Sequence, residues 1–375
     1  MDASFSRRTV LAGTAALAMA PAVRGGTMPR RPASPLVLGH RGACALRPEH
    51  TLASYERAIA DGADFIEPDL VPTKDGHLVA RHEPNIADTT DVADHPEFAD
   101  RRATRVIDGQ KQDGWFTTDF TLAELQTLRA RERLGAVRPI SQGFDGQFPV
   151  PTLDQIVGFL QASNARTGRT VGLIPEIKHS TWFASLGFDM EALFLAAVRR
   201  HGLLHRVPLI VQSFEVSNLK RLRKALRPMA NVQLMQLFDD DGASPADALA
   251  QGQALTYREM ATPAGLSAIA GYADWAAPAW SRIVPLATDG TSAPVTSFIA
   301  DAHKAGLLAG CYTFRPENRF LPKDLRNGPE NARNDAGCLA LIDRVIAAGI
   351  DGFFTDDPAL GRQAVLRRKG MHARG

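Results

Sequence analysis

Phe65-Ile66-Glu67-Pro68-Asp69-Leu70, followed by Val71-Pro72-Thr73-Lys74-Asp75-Gly76-His77-Leu78-Val79-Ala80-Arg81-His82, carries both the architecture and the chemistry of this chain. Residues two apart on a strand share a face, so Glu67 and Asp69 are expected to project together. Asp75-Gly76 is a strong two-residue hairpin signal, and folding about its centre sets position 82 opposite position 69. His82 is therefore expected beside the paired carboxylates. Two carboxylates crowded on one face repel and need a cation or a shared proton. Oxygen ligands favour a hard ion such as Ca²⁺ or Mg²⁺. A bare Glu-x-Asp pair would sooner read as rim residues paired with arginines; a histidine at a register set by the turn points to function.

Outward from this stretch, short β-rich runs alternate with helical patterns, the signature of a parallel α/β architecture. Strands are expected at 36–39, 64–70, 171–177, 207–212, 232–237, 282–286, 306–313 and 352–355, with helices such as 51–61, 189–201, 215–225 and 338–348 between them. Eight such segments suit a TIM-type (β/α)8 barrel with a hairpin after its second strand. An open doubly wound sheet usually advertises a Gly-rich phosphate loop, and both GxGxxG and GxxxxGK[ST] are absent. Residues 85–150, rich in Asp, Arg, Gly and Pro, read as an insertion over one barrel end, a candidate lid. The catalytic domain is expected over 36–365, insertion included.

The 375 residues, 45% hydrophobic and 22% charged, can bury a large core. The net charge of +2 comes from intermixed acids and bases. No basic stripe tracks along the chain, so nucleic acid is not an expected partner, whereas a small anionic substrate needs only local charge. Cys44, Cys311 and Cys338 lie far apart without CxxC spacing, which indicates neither a zinc cage nor a disulfide framework. At the start, Ser6-Arg7-Arg8-Thr9-Val10-Leu11 precedes an Ala-rich run ending in Ala18-Met19-Ala20. This reads as an export signal of the twin-arginine type over 1–20, followed by a linker over 21–35. The expected partner is then the twin-arginine export machinery, and the expected location is periplasmic or secreted. No later run approaches ~18 uninterrupted apolar residues, so stable membrane insertion is not expected.

Several strand ends carry charge. Leu38-Gly39-His40-Arg41-Gly42 runs from an apolar strand into a charged turn, and in parallel barrels the C-terminal strand ends build the site. Arg41 offers a planar fork for phosphate and His40 a proton carrier near neutral pH. In Gly172-Leu173-Ile174-Pro175-Glu176-Ile177-Lys178, Glu176 and Lys178 alternate onto one face, a third carboxylate for a metal and a cation for phosphate. Phe214, Tyr312 and Phe314 stand at further strand ends and are candidates to line a pocket.

His40-Arg41-Gly42, Pro48-Glu49-His50-Thr51, Glu67-Pro68-Asp69, Lys74-Asp75-Gly76 through His82, and Pro175-Glu176-Ile177-Lys178 closely resemble the glycerophosphodiester phosphodiesterase family in order and spacing. The likeness extends through Thr118-Asp119-Phe120-Thr121-Leu122 to Gly349-Ile350-Asp351-Gly352-Phe353-Phe354-Thr355-Asp356 and is greatest toward exported bacterial members. The resemblance implies a TIM barrel in which Glu67, Asp69 and Glu176 bind one divalent metal, commonly Ca²⁺ or Mg²⁺. His40 and His82 would be the acid–base pair, Arg41 and Lys178 would hold phosphate, and Glu49 would support Arg41. The implied substrates are glycerophosphodiesters such as glycerophosphocholine, cleaved to sn-glycerol 3-phosphate and an alcohol. Pro68 departs from many relatives, and because proline removes a ladder donor a local irregularity is expected there.

Two rival readings are a lipid-cleaving phospholipase of the related phospholipase D toxin type and a binding protein without turnover. The first needs an exposed apolar loop, for which Trp115 and Phe116 are the only adjacent aromatics in the insertion. The second fits poorly with a chain that retains both histidines, all three carboxylates and both cations.

Overall fold

The computed structural model describes residues 30–372 except 204, 205, 227, 228 and 230; the expected export signal and the linker before residue 30 lie outside the described residues. Among the described residues thirteen strands follow in chain order: β1 Leu36–His40, β2 Phe65–Glu67, β3 Asp69–Pro72, β4 Leu78–Ala80, β5 Ala103–Ile107, β6 Gln110–Gly114, β7 Gly172–Leu173, β8 Glu176–Ile177, β9 Leu209–Ser213, β10 Val232–Phe238, β11 Trp275–Pro278, β12 Leu308–Phe314 and β13 Gly352–Thr355. Two expected strands are each split by a proline. Pro68 divides β2 from β3, and the break at Ile174-Pro175 divides β7 from β8, because a proline cannot donate to the ladder. Each split pair still acts as one stave, so eight parallel staves close into a barrel, with β13 beside β1 and β9 beside β10. Helices alternate with the staves, and β4 adds an antiparallel ribbon to β3.

The strand expected over 282–286 is a correction. The sixth stave is β11, and residues Trp280–Ile283 form a helical turn after it. Ile283-Val284 resembles a strand, but Ile283 buries its side chain in the core outside the barrel. Trp275 enters the barrel instead, where Gly310 and Gly352 leave room for its ring; a Cβ on either would lie 3.7 and 3.4 Å from it.

Period-two alternation places the site. Leu38, Phe65, Ile174, Ile210 and Phe354 belong to the apolar cluster that fills the barrel interior. Two residues onward, on the same faces, come His40, Glu67, Glu176, Gln212 and Asp356. An apolar floor thus lies beneath a polar layer at the C-terminal strand ends, the side where such barrels build their sites. The floor is tightly packed: a Cβ on Gly172 would sit 2.3 Å from the Phe65 ring.

The stretch read as an insertion holds the β5–β6 ribbon and several short helical turns. Trp115 and Phe116 are both buried, with Trp115 Nε1 donating to the Phe98 carbonyl at 2.7 Å. Among the described residues no helix is long and apolar enough to cross a membrane. The three cysteines are free thiols, all buried.

Candidate active site

The β1 turn is shaped by its backbone. Arg41 and Gly42 both have positive φ, 55° and 91°, which curls the chain so that the Arg41 N–H donates to Glu67 Oε2 at 2.6 Å. Ser54, on the helix Leu52–Ala60, pins this turn by donating to the Arg41 carbonyl and accepting from the Ala43 N–H, each at 3.0 Å. That helix is capped by Thr51, whose side chain accepts from Ser54 N at 3.1 Å. Sequence here dictates a cap, the cap positions Ser54, and Ser54 positions the functional turn.

The hairpin register differs by one residue from expectation. Pairing runs Leu70↔Ala80, Val71↔Val79 and Pro72↔Leu78, and Arg81 N donates to the Asp69 carbonyl at 3.0 Å. The turn spans five residues, with Thr73 N bonded to the His77 carbonyl at 2.9 Å, so Arg81 and not His82 stands opposite Asp69. Asp75 holds the longer turn by accepting from Thr73 Oγ1 at 2.6 Å. His82 lies beyond the ladder, where the chain leaves β4, and there it lines the cavity.

A cavity of about 380 Å³ opens at this end of the barrel. His40, Arg41, Glu49, Glu67, His82, Glu176 and Lys178, all singled out from sequence, line it. Asp69 lies fully buried just behind, with Lys178 Nζ 3.4 Å from its Oδ1. Phe314 does not line it. The β12–β13 register shifts between Cys311 and Phe314, which reverses the alternation and turns Phe314 outward onto Phe353, with ring centroids 5.5 Å apart. Phe214 and Tyr312 do line the wall, edge-to-face at 6.0 Å.

Ligand atoms of Glu67, Asp69 and Glu176 lie within 4.8 Å of one another. Burial pushes the Glu67 carboxyl well up, with Asp69 and Glu176 adding repulsion. Burial likewise raises Glu176, to about 7, although Lys178 Nζ at 2.8 Å opposes it. Asp69 is held well below the usual carboxylate range because Lys178 and His50 outweigh its burial. Among the described residues its Oδ1 accepts no hydrogen bond, although Lys178 Nζ ion-pairs with it at 3.4 Å. Three buried carboxylates, one with an oxygen that accepts no hydrogen bond, form an oxygen-only donor set that suits a hard divalent cation.

The histidines are held from behind. His40 Nδ1 lies 2.6 Å from Asp356 Oδ1, and His82 Nδ1 is bonded to Glu83. A carboxylate only accepts, so each Nδ1 carries the proton and each Nε2 is left for the cavity. Burial, then Arg41, pushes His40 down to about 4 although Asp356 opposes this; burial, Arg41 and Lys178 push His82 well down. Both shifts disfavour the imidazolium form in the free site. Glu49 bridges Arg41 Nη1 at 3.0 Å and Arg133 Nη2 at 2.6 Å, fixing the guanidinium of Arg41. His40, Cys44 and Asp356 also converge. Asp356 is already bonded to Arg138, and burial holds the Cys44 thiol up and protonated, so this group is a hydrogen-bonded network.

Sequence reasoning passed over Arg138 and Arg133, and gave no role to Asp356, Gln212 or His50. Asp356 and His50 sit inside motifs already singled out, at a strand end and beside Glu49, where the placement is a usable signal. Arg138 and Arg133 come from the insertion, and nothing local marks them.

The sequence profile described as "Glycerophosphoryl diester phosphodiesterase family" matches residues 40–360. A glycerophosphodiester phosphodiesterase of Arabidopsis thaliana is 34% identical over 88% of this chain and 85% of its own length. One of Treponema pallidum is 29% identical over 87% and 90%. Among solved structures, a glycerophosphoryl diester phosphodiesterase assigned as putative from Silicibacter pomeroyi superposes with a TM-score of 0.62 at 20% identity, covering 90% of this chain and 96% of that one. An Oleispira antarctica phosphodiesterase in complex with sn-glycerol-3-phosphate superposes at 0.54 with 19% identity, covering 88% and 97%.

Proposed function

We propose, on the premise that the chain belongs to the glycerophosphoryl diester phosphodiesterase family and is a phosphodiesterase of that class, that it hydrolyses glycerophosphodiesters to sn-glycerol 3-phosphate and an alcohol with one divalent metal ion. The observation that carries this reading is the convergence of Glu67, Asp69 and Glu176, whose ligand atoms lie within 4.8 Å of one another, beside a cavity that His40 and His82 also line. The three carboxylates would hold the ion, Ca²⁺ or Mg²⁺ by the chemistry of the donor set. When bound, it supplies Lewis-acid charge on a phosphoryl oxygen.

The rest is the work of this chain's residues. Arg41 and Lys178 place fixed positive charge where the phosphoryl oxygens gain negative charge. The incoming anion also favours protonation of a nearby histidine, so the pair ceases to be equivalent on binding. One Nε2 then removes a proton from the nucleophile, water or the glycerol 2-hydroxyl, and the other delivers one to the leaving alkoxide. The 2-hydroxyl route passes through a cyclic phosphate.

The catalytic domain of this proposal spans 36–365 with its insertion, and the enzyme is of the exported bacterial type, periplasmic or secreted. Support comes from Arg7-Arg8 and the Ala-rich run that follows. Replacing Arg7 and Arg8 by Lys should block twin-arginine export; unchanged export would remove that assignment.

The decisive measurement is release of sn-glycerol 3-phosphate from glycerophosphocholine, with and without chelator, beside His40→Ala and Glu67→Ala. Chelator-sensitive release lost in both variants supports the proposal. A folded protein that turns over no glycerophosphodiester with added Ca²⁺ or Mg²⁺ overturns it.

A further inference from the structure

We propose that Arg138 is a positioning residue for the reaction, acting on His40 through Asp356 and thereby making the insertion part of the proton-transfer apparatus. The inference rests on the role given to His40 above.

A chain of buried contacts joins four distant parts of the sequence. His40, at the end of β1, meets Asp356 Oδ1 at 2.6 Å just after β13. Asp356 Oδ2 accepts from Arg138 Nη2. Arg138 Nε donates to Glu317 Oε1 at 2.7 Å, and its Nη2 reaches Glu317 Oε2 at 3.3 Å. Its Nη1 donates to the Cys44 carbonyl at 3.1 Å. Arg138, Glu317 and Asp356 are 6%, 3% and 1% exposed, so these charges exist only because each has partners.

The geometry divides the two oxygens of Asp356 between two tasks. Oδ1 fixes the imidazole as the Nδ1–H tautomer, presenting a lone pair at Nε2. Arg138 occupies Oδ2, keeps the carboxylate ionised and prevents it from turning away. Arg315, 3.4 Å from the same oxygen, is 33% exposed and weaker in this role. Glu317 balances the charge of Arg138, and the remaining negative charge, on Asp356, faces His40 and the part-exposed Arg315. The planar fork matters as well as the charge. One guanidinium serves Glu317, Asp356 and a carbonyl in fixed directions, which a lysine ammonium cannot reproduce.

The test uses the full chain with glycerophosphocholine and compares Arg138→Gln, Arg138→Lys, Asp356→Asn and the Arg138→Gln/Asp356→Asn pair. Each variant is checked for folding by thermal unfolding. Positioning through Asp356 predicts a kcat lower by about tenfold or more for both Arg138 variants, with KM changed by less than about threefold. It also predicts that the pair is no worse than Asp356→Asn alone, because the two residues act in series. In ¹⁵N-histidine spectra, the resonance assigned by its loss in His40→Gln should leave the Nδ1–H tautomer in Arg138→Gln. That readout needs no turnover, so it separates failure of this inference from failure of the proposed activity. If Arg138→Gln does not fold, Arg138→Lys and Glu317→Gln carry the same readouts. A folded Arg138 variant with wild-type kcat and unchanged His40 tautomer, or fully additive losses in the pair, overturns the proposal.

Discussion

His50 Nε2 donates to Asp69 Oδ2 at 2.8 Å while its Nδ1 meets the Tyr55 hydroxyl at 2.9 Å, so a fully buried imidazole sets the orientation of a carboxylate that we assign to the metal. Burial holds His50 below its usual pKa against the pull of Asp69. A neutral ring has one donor and one acceptor, and both are used. The bond occupies Oδ2, so in the proposed metal site Oδ1, 3.4 Å from Lys178 Nζ, would be the oxygen that faces the ion. His50→Leu should therefore weaken metal affinity by about 10–100-fold and destabilise the protein by about 1–3 kcal/mol. Titration calorimetry with Ca²⁺ and thermal unfolding in chelator read the two effects separately. Unchanged affinity would mean that Asp69 is held well enough without His50.

Stability of the metal-free protein should depend on pH in an unusual direction. Glu176 is pushed up to about 7 and Glu67 well above its ordinary value, so in the folded state both retain protons that the unfolded chain has released. A carboxyl with a raised folded pKa contributes stability below the unfolded pKa, and that contribution is lost as pH rises through the folded value. Between pH 5 and 7 the loss is about 1.4 kcal/mol per pH unit for each proton held only by the folded state. Asp69, held low, has its opposite effect at more acid pH. Saturating Ca²⁺ or Mg²⁺ should flatten the slope, because the ion stabilises the ionised carboxylates. Denaturant midpoints at pH 5, 6 and 7, in chelator and in metal, test this; parallel curves would argue against a metal at these residues.

What the sequence made legible followed local rules. Alternation predicted that Glu67 would share a face with Asp69 and Glu176 with Lys178, and the strand-end rule placed His40 and Arg41; all of these line one cavity except Asp69, which lies just behind it. The misreadings arose where backbone geometry changes without a compositional signal. Asp75-Gly76 resembles a two-residue turn, yet the Thr73 and Asp75 side chains stabilise a five-residue one. Ile283-Val284 has the composition of a strand, whereas the stave is Trp-Ala-Ala-Pro, whose fitness depends on Gly310 and Gly352 far along the chain. Arg138 was invisible because its meaning is set wholly by partners 94 to 218 positions away.

The outward turn of Phe314 separates two kinds of aromatic. Phe314→Leu should lower the unfolding temperature through the loss of packing on Phe353, at a cost of up to about 1.5 kcal/mol, and leave KM unchanged. Phe214→Leu alters the cavity wall, where Lys178 Nζ lies 5.8 Å from the ring centroid, and should raise KM for glycerophosphocholine. Steady-state kinetics on the two variants give the comparison. A KM effect in Phe314→Leu with no stability loss would restore that residue to the substrate.

Gly42 is the position where the smallest change should do the most damage. At φ +91° an added Cβ would stand 2.4 Å from Ser54 Oγ and 2.6 Å from the Ser54 backbone carbon. A side-chain rotation relieves the first contact but not the second, so the turn itself must move. An L-residue in left-handed backbone adds about 1–2 kcal/mol. Movement of the turn breaks the Ser54 bonds to Arg41 and Ala43, and with them the bond from Arg41 N to Glu67. Gly42→Ala should therefore lower both the unfolding temperature and kcat, with weaker metal binding as the link between them. Ser54→Ala should show the same pattern more mildly, since it removes two hydrogen bonds and introduces no clash. Loss of stability in Gly42→Ala with wild-type kcat and metal affinity would show that the turn can shift without carrying Arg41 and Glu67 with it.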